Sequence, residues 1–303
     1  MELHTCLWND VDAFSFCEDE LQVIGTHFPD LGIKVHNDVE SFLSQAPLAD
    51  FVLSWDFEEA CYETCTRLKI IFTPAAGNEL VHADPGNKVK LVHGTFHGPM
   101  LAESLLGAML FMNHKMPLMI RNHRLKKWDR KIQGGSRLLG NQTVLLIGLG
   151  KIGFSCARLI QHTGAEVIGI RRNPGRNPDT GVDVRSVDEL DSLLAWADHV
   201  ALLLPGSPDT DRFMNPERLA LMKAGSYIYN FGRGNSLNSN DLLASLDHLG
   251  GAFLDVTDEE PLPGDSPLWD SSNVMITPHS SCIYHEYKSL FINEVINHLK
   301  QYL

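Results

Sequence analysis

Short apolar runs alternate with stretches of helical periodicity along the chain. In the first third, the apolar runs predict strands at 3–8, 33–36, 51–55, 68–73 and 90–93. Between these runs, apolar residues are spaced as on one face of a helix at 14–26, 39–43 and 57–65. Alternation of strands and helices is typical of parallel sheets whose two faces are covered by helices. The first third therefore predicts an α/β unit.

A second α/β series begins farther along the chain. Residues 99–120 predict one long apolar helix, and a basic stretch follows at 121–131. Further apolar runs predict strands at 143–147, 167–170, 200–204, 227–229, 252–256 and 274–276. The last segment, 284–303, has helical spacing. The pattern predicts two domains, one formed by 1–97 and 281–303 and the other by 98–280.

Composition narrows the classes of protein. The 303 residues are 44% hydrophobic and 21% charged, which suits folded domains and excludes a disordered scaffold. With 25 basic and 38 acidic residues the net charge is −13, which disfavours nucleic acid as a partner. The six cysteines form no CxxC pair, so we expect free thiols, no metal site and a reducing compartment. No apolar run suits a membrane span, and we expect a cytoplasmic protein.

A glycine motif marks a candidate nucleotide site. Gly148, Gly150 and Gly153 form a GxGxxG that follows an apolar strand and precedes an amphipathic helix. In this setting the first glycine allows a tight turn, the second lets a pyrophosphate approach the backbone, and the third lets helix and strand pack closely. The free N–H groups of the helix then face the phosphates. A glycine-rich turn without a ligand remains the alternative.

The end of the next strand predicts which dinucleotide binds. NAD-binding units usually carry an acid there, about 20 residues after the glycines, to accept from the ribose hydroxyls. Here the strand ends in Arg171 and Arg172, and the nearby acid, Glu166, lies at the opposite end. Guanidinium groups bind a 2′-phosphate but cannot accept a hydrogen bond. NADP(H) is therefore favoured over NAD(H), with a solvated basic turn as the alternative for Arg172.

Several further motifs lie in order along nearly the whole chain. They are Ala102-Glu103, the glycine loop 148–153, Leu204-Pro205, 222–225 leading into 230–234, 254–256 before 259–262, and 277–279. Taken together, these motifs resemble the D-isomer-specific 2-hydroxyacid dehydrogenase family. Within it, the chain is most similar to the NADPH-linked glyoxylate/hydroxypyruvate reductases, because of the arginines after the second strand. The resemblance implies two doubly wound parallel-sheet domains, a Rossmann-type cofactor domain inserted in a flavodoxin-like substrate domain.

The resemblance also implies three catalytic residues, Arg233, Glu260 and His279. The chemistry of reducing a 2-keto acid asks for the same residue types. A histidine can give the proton near neutral pH, and a carboxylate on its other ring nitrogen favours the imidazolium. An arginine can bind the substrate carboxylate and polarise the carbonyl. Asp258 and Glu259 compete with Glu260, and we expect them to form a solvated acidic turn.

Other site residues follow from the resemblance. The loop after the fourth strand is expected to bind the substrate carboxylate through the amides of Ala76 and Gly77. Trp55 either lines the substrate pocket or is a half-buried core residue. Phe231 is bulkier than the small residue that the family usually has at this position. The implied cofactor-binding residues are Gly148, Gly150, Lys151, Ile152, Gly153, Arg171, Arg172, Leu204, Pro205, Phe231, Gly232, Asp255, His279 and Ser281.

These expectations predict an enzyme that reduces a short 2-keto acid, such as glyoxylate or hydroxypyruvate, to the D-2-hydroxy acid with NAD(P)H. A non-catalytic dinucleotide sensor on the same fold is one alternative. A formate-type dehydrogenase is another, which Glu260 disfavours because the resemblance implies that such enzymes lack this glutamate. The apolar helix at 101–120 predicts a homodimer, with burial inside one chain as the rival.

Overall fold

The chain folds into two compact units. The computed structural model describes residues 1–77, 79–132, 135–174 and 181–303. One unit consists of Met1–His97 and Cys282–Leu303, and the other of Gly98–Ser281. The chain therefore returns to the first unit one residue later than the sequence pattern indicated.

The first unit is built on a parallel sheet. Among the described residues its strands are β1 (Glu2–Cys6), β2 (Gly32–Val35), β3 (Phe51–Ser54), β4 (Ile70–Thr73) and β5 (Lys90–His93). They pair in the order β2-β1-β3-β4-β5, which is the flavodoxin-like order. The α-helices of this unit are α1 (Glu18–His27), α2 (Val39–Gln45) and, from the C-terminal segment, α9 (Tyr287–Leu299).

The second unit holds a larger parallel sheet. Its described strands are β6 (Thr143–Ile147), β7 (Glu166–Ile170), β8 (Asp183–Arg185), β9 (His199–Leu202), β10 (Tyr227–Asn230), β11 (Gly251–Leu254) and β12 (Val274–Ile276). The order β8-β7-β6-β9-β10-β11 is that of a Rossmann sheet, and β12 extends it. The helices are α3 (Gly98–Asn113), α4 (Met116–Arg124), α5 (Lys151–Gln161), α6 (Leu190–Trp196), α7 (Pro216–Leu221) and α8 (Ser239–Ser245). The predicted fold class is confirmed.

Two predicted helices are wrong in detail. The long helix at 99–120 is divided into α3 and α4 by Lys115, whose φ of 57° is left-handed and cannot continue a right-handed helix. The predicted helix at 57–65 is a short 3₁₀ turn at Glu59–Glu63. The sequence pattern also missed β8, a three-residue strand with a charged residue at each end.

The sheet of the second unit is buried on both faces, and one part of its core lies on the face covered by α6, α7 and α8. Leu145, Val200 and Ile228, from three adjacent strands, are fully buried there. This packing fixes the strands in register, so the loops at their carboxyl ends are held in place. All six cysteines lie in the described residues and are free thiols. Within the described ranges, we find no helix with the length and apolar character needed to cross a membrane.

Candidate active site

The glycine loop joins the end of β6 to the start of α5. Gly148 has a φ of 99°, and a Cβ there would lie 2.6 Å from the Leu203 carbonyl oxygen, so a side chain is excluded. Gly150 is the N-cap of α5, and a Cβ on it would meet no protein atom within 4 Å. Lys151 and Ile152 begin the helix, whose first N–H groups have no intrahelical acceptor. Open space in front of free N–H groups fits a dinucleotide pyrophosphate.

The carboxyl end of β7 presents the two arginines. Arg171 is exposed, and its guanidinium lies 5.9 Å from the ring centre of Phe154 on α5. Arg172 pairs with Asp209 at 2.7 Å, and both side chains are more than 70% exposed. Glu166 is at the amino end of β7, opposite Thr143, and so is far along the strand from both arginines.

Arg233 lies in the loop after β10 and is half-buried. The glycines on either side of Arg233 are both packed against protein backbone. A Cβ on Gly232 would lie 2.4 Å from the Leu204 carbonyl oxygen, and one on Gly234 would lie 1.7 Å from that of Thr257. The glycines therefore let this loop lie directly against the loops that follow β9 and β11, which fixes the backbone of Arg233.

His279 and Glu260 form a hydrogen-bonded pair. Nδ1 of His279 lies 3.0 Å from Oε2 of Glu260, and Oε1 of Glu260 accepts from the amide of Thr257 at 3.1 Å. Burial by itself raises the pKa of Glu260. The hydrogen bond and charge of His279, the amide of Thr257 and, least, the charge of Arg233 more than offset it, so the pKa is below its usual value. The side chains are 50% and 39% exposed, so His279 can exchange a proton with a bound molecule.

Asp258 and Glu259 are the two acids that compete with Glu260 as the partner of His279. Asp258 accepts hydrogen bonds from the side chain of Asn238 and the amide of Ser239, at the start of α8. Glu259 is exposed. Of these three consecutive acids, Glu260 is therefore the one whose carboxylate reaches His279.

Asp255 fixes the segment that carries His279. Its carboxylate, almost fully buried, accepts from the Thr277 hydroxyl at 2.7 Å and from the amides of Ser280 and Ser281 at 2.9 and 3.1 Å. Its carbonyl oxygen accepts from the amide of His279 at 2.8 Å. These bonds hold His279 at a φ of 49°, which a non-glycine residue rarely adopts. The resemblance implied a cofactor contact for Asp255; the anchoring bonds were missed because they join residues 22 to 26 positions apart.

Phe231 contributes to a cavity next to this segment. Its ring is buried and stacks on Phe253 at 5.6 Å between centres. Both rings line a cavity of about 260 Å³, together with Phe111 of α3 and Ser281. Leu204 and Pro205 follow β9 at the same edge of the sheet, and the Pro205 carbonyl accepts from the Thr210 hydroxyl at 2.7 Å.

In the first unit, the loop after β4 carries the predicted substrate amides. Ala76 is exposed and Gly77 is partly exposed, while Asn78 lies outside the described residues. Trp55 follows β3, donates to the Phe14 carbonyl at 3.2 Å, and stacks parallel to Tyr287 at 6.4 Å. These contacts favour the interpretation of Trp55 as a half-buried packing residue of this unit.

Comparisons with known proteins agree with this arrangement. The model of the D-isomer specific 2-hydroxyacid dehydrogenase family, NAD binding domain, matches residues 106–281. This range is more than half of the chain. The chain therefore belongs to the D-isomer specific 2-hydroxyacid dehydrogenase family.

Individual relatives match over different lengths. A D-isomer specific 2-hydroxyacid dehydrogenase from Xanthobacter autotrophicus Py2, solved with NADPH and MES, is 26% identical with a TM-score of 0.81, over 99% of this chain and 95% of that one. An NADPH-dependent glyoxylate/hydroxypyruvate reductase from Sinorhizobium meliloti, solved with NADP and sulfate, is 25% identical with a TM-score of 0.79. The match covers 100% of this chain and 96% of that one. D-3-phosphoglycerate dehydrogenase from Methanocaldococcus jannaschii is 31% identical over 74% of this chain and 43% of its own length. The chain spans about half the length of the curated relatives it matches.

Proposed function

We propose that the chain is an NAD(P)H-dependent 2-keto acid reductase that forms a D-2-hydroxy acid, with glyoxylate or hydroxypyruvate as the favoured substrate. The observation that carries the proposal is the hydrogen bond of 3.0 Å between His279 and Glu260. A sensor of dinucleotides needs no proton donor, whereas a reductase does. We propose unit 98–281 as the cofactor domain and the other unit as the substrate domain.

His279 is the proposed proton donor. Because its Nδ1 is bonded to Glu260, the remaining ring nitrogen, Nε2, is the one that can give a proton to the carbonyl oxygen of the substrate. The hydride for the carbonyl carbon would come from a reduced nicotinamide bound to the cofactor domain. One hydride and one proton together turn the keto group into the hydroxyl group, so the reaction balances. Glu260 keeps the histidine in the required orientation and favours its protonated form before the reaction.

Arg233 is the proposed electrophile and carboxylate ligand. Its guanidinium can donate to the substrate carboxylate and to the carbonyl oxygen, where negative charge develops as the hydride arrives. The amides of Ala76 and Gly77 remain predicted ligands of the same carboxylate. The relative from Sinorhizobium meliloti, by its name a glyoxylate/hydroxypyruvate reductase, supports the proposed substrate class.

NADP(H) is the proposed cofactor. The support is the exposed guanidinium of Arg171 and the absence of an acid at 171–174, directly after β7. Arg172 can exchange its exposed partner Asp209 for a phosphate, because an exposed ion pair contributes only about 0–1 kcal/mol. A homodimer through 101–120, which covers most of α3 and part of α4, and a cytoplasmic location are also proposed.

A panel of substrates tests the function. Purified protein is mixed with NADPH, and separately with NADH, and with glyoxylate, hydroxypyruvate or pyruvate, while the absorbance of the reduced cofactor is followed. D-3-phosphoglycerate with the oxidised cofactors tests the reverse reaction suggested by the phosphoglycerate dehydrogenase relatives. We expect turnover of a short keto acid with NADPH. Tight dinucleotide binding without turnover of any member would instead favour a sensor.

A further inference from the structure

A polar cavity lies in the second unit at the amino ends of the strands, whereas the glycine loop lies at their carboxyl ends. Its volume is about 80 Å³, and Lys115, Arg137, Gln142 and Asp198 are among the residues that line it. Gln142 precedes β6 and Asp198 precedes β9, so the cavity is at the amino ends of the strands. The proposed reaction uses the carboxyl ends and leaves this cluster without a role.

The cavity carries more positive than negative charge. Asp198 is engaged by two cations, since one of its oxygens lies 3.1 Å from Arg137 and 2.7 Å from Lys223. Its other oxygen accepts from the amide and hydroxyl of Thr143. Lys115 donates to the neutral hydroxyl of Tyr227, so its charge is not balanced by that partner. The surplus favours an anion in the cavity.

A buried acceptor in the same cavity restricts the kind of anion. Gln142 is only 4% exposed, and its side-chain oxygen has no hydrogen-bond partner. A buried carbonyl without a donor is unfavourable, so the occupant should supply a proton to it. A volume of about 80 Å³ has room for a few waters or one small oxyanion.

We propose that this cavity binds hydrogen phosphate or a small anion of the same chemistry. Its charged oxygens accept from Lys115 and Arg137, and its P–OH group donates to Gln142. Sulfate has the same shape and charge but carries no proton near neutral pH, so it cannot make the last bond. The site is separate from the proposed nucleotide site and from the residues that carry the proposed reaction.

Calorimetric titration of the whole chain with phosphate, arsenate and sulfate at constant ionic strength tests the proposal. Phosphate and arsenate should bind at least about tenfold more tightly than sulfate, because only they satisfy Gln142. Gln142→Leu should remove this preference. Lys115→Met, at a partly exposed position, should weaken phosphate binding by about tenfold, whereas Lys34→Met, an exposed lysine of the other unit, should not.

Three other outcomes would contradict the proposed phosphate site. If sulfate binds as tightly as phosphate, the occupant does not donate to Gln142. If Lys115→Met binds phosphate normally while the double variant of Arg171→Met and Arg172→Met does not, the phosphate binds at the nucleotide site alone. If phosphate gives no heat at millimolar concentration, water fills the cavity. Each result contradicts the proposal even when Gln142→Leu does not fold.

Discussion

Two histidines of the second unit have opposite surroundings. His279 is half-exposed after β12 and is bonded to the carboxylate of Glu260. His199 is fully buried in β9, where its Nδ1 lies 2.9 Å from the Tyr229 hydroxyl. Burial is the main cause that lowers the pKa of His199 to about 4, and the charge of Asp198 only partly offsets it. The same side chain is thus placed to transfer protons in one setting and kept neutral in the other, so its surroundings decide its role.

Replacing the exposed histidine should have the largest effect. His279→Ala removes the proposed proton donor, so turnover of the keto acid should fall by about a hundred- to ten-thousandfold. Dinucleotide binding, measured by the quenching or shift of cofactor fluorescence, should be retained. His285→Ala, which changes another histidine on the following segment, is the control. Near-normal turnover in His279→Ala would remove this residue from the mechanism.

The carboxylate partner should have the next largest effect. Glu260→Gln keeps a similar shape but removes the charge that favours the protonated imidazole, so turnover should fall by about ten- to a hundredfold. The control is Glu259→Gln, whose side chain is exposed. If Glu260→Gln reduces the keto acid as fast as the unaltered chain does, the proposed pairing is wrong.

Cofactor choice should depend on Arg171. Arg171→Met removes a guanidinium that can bind the 2′-phosphate, so the KM for NADPH should rise about tenfold or more while that for NADH stays unchanged. Arg158→Met, an exposed arginine of α5, is the matched control. Equal losses with both cofactors, or a preference of the unaltered protein for NADH, would be evidence against the phosphate contact.

The buried histidine should affect stability rather than catalysis. Its pKa is about 4 in the folded chain and 6.5 as its reference value, so the unfolded chain binds the proton first as the pH falls. Stability is therefore lost from about pH 6.5 downward, by about 2 kcal/mol at pH 5. In urea unfolding, His199→Gln should lose less stability between pH 7.5 and pH 5 than the unaltered chain does. His27→Gln, which changes an exposed histidine, should lose as much stability as the unaltered chain. Equal losses in all three would rule out His199 as the cause.

The smallest expected effect concerns assembly. Leu110 on α3 is 39% exposed, in the region proposed to pair two chains. Leu110→Lys should weaken the dimer, seen as a lower mass by light scattering at low protein concentration. Leu43→Lys, 42% exposed on α2, is the control and should leave the mass unchanged. A monomeric unaltered chain would refute the proposed dimer.

Local pattern was enough to predict much of the fold. The apolar runs identify all described strands of the first sheet and, except for β8, those of the second, because buried parallel strands need apolar side chains on both faces. The glycine loop was found because glycines at that spacing follow a strand and open a helix. The break at Lys115 was not found, since a lysine carries no signal for a left-handed backbone. The strand β8 was also missed because it is short and has charged ends.

The candidate site also has features that the sequence predicts and features that it does not. Arg233, Glu260 and His279 follow from motifs, and the glutamate before proline selects Glu260 over Asp258. The hydrogen bonds that place Glu260 on the imidazole and Asp258 at the start of α8 come from the fold. The anchoring by Asp255 and the backbone contacts of Gly232 and Gly234 join distant parts of the chain. Such contacts arise from packing, and no local pattern encodes them.

A double-mutant cycle on His279 and Glu260 tests the central claim most directly. The turnover of His279→Ala, of Glu260→Gln and of the chain with both changes is measured with the same keto acid and NADPH. If Glu260 acts through His279, the double variant should be no slower than His279→Ala within about threefold. If the two losses multiply instead, the carboxylate acts independently of the histidine, and the proposed proton-donating pair is wrong.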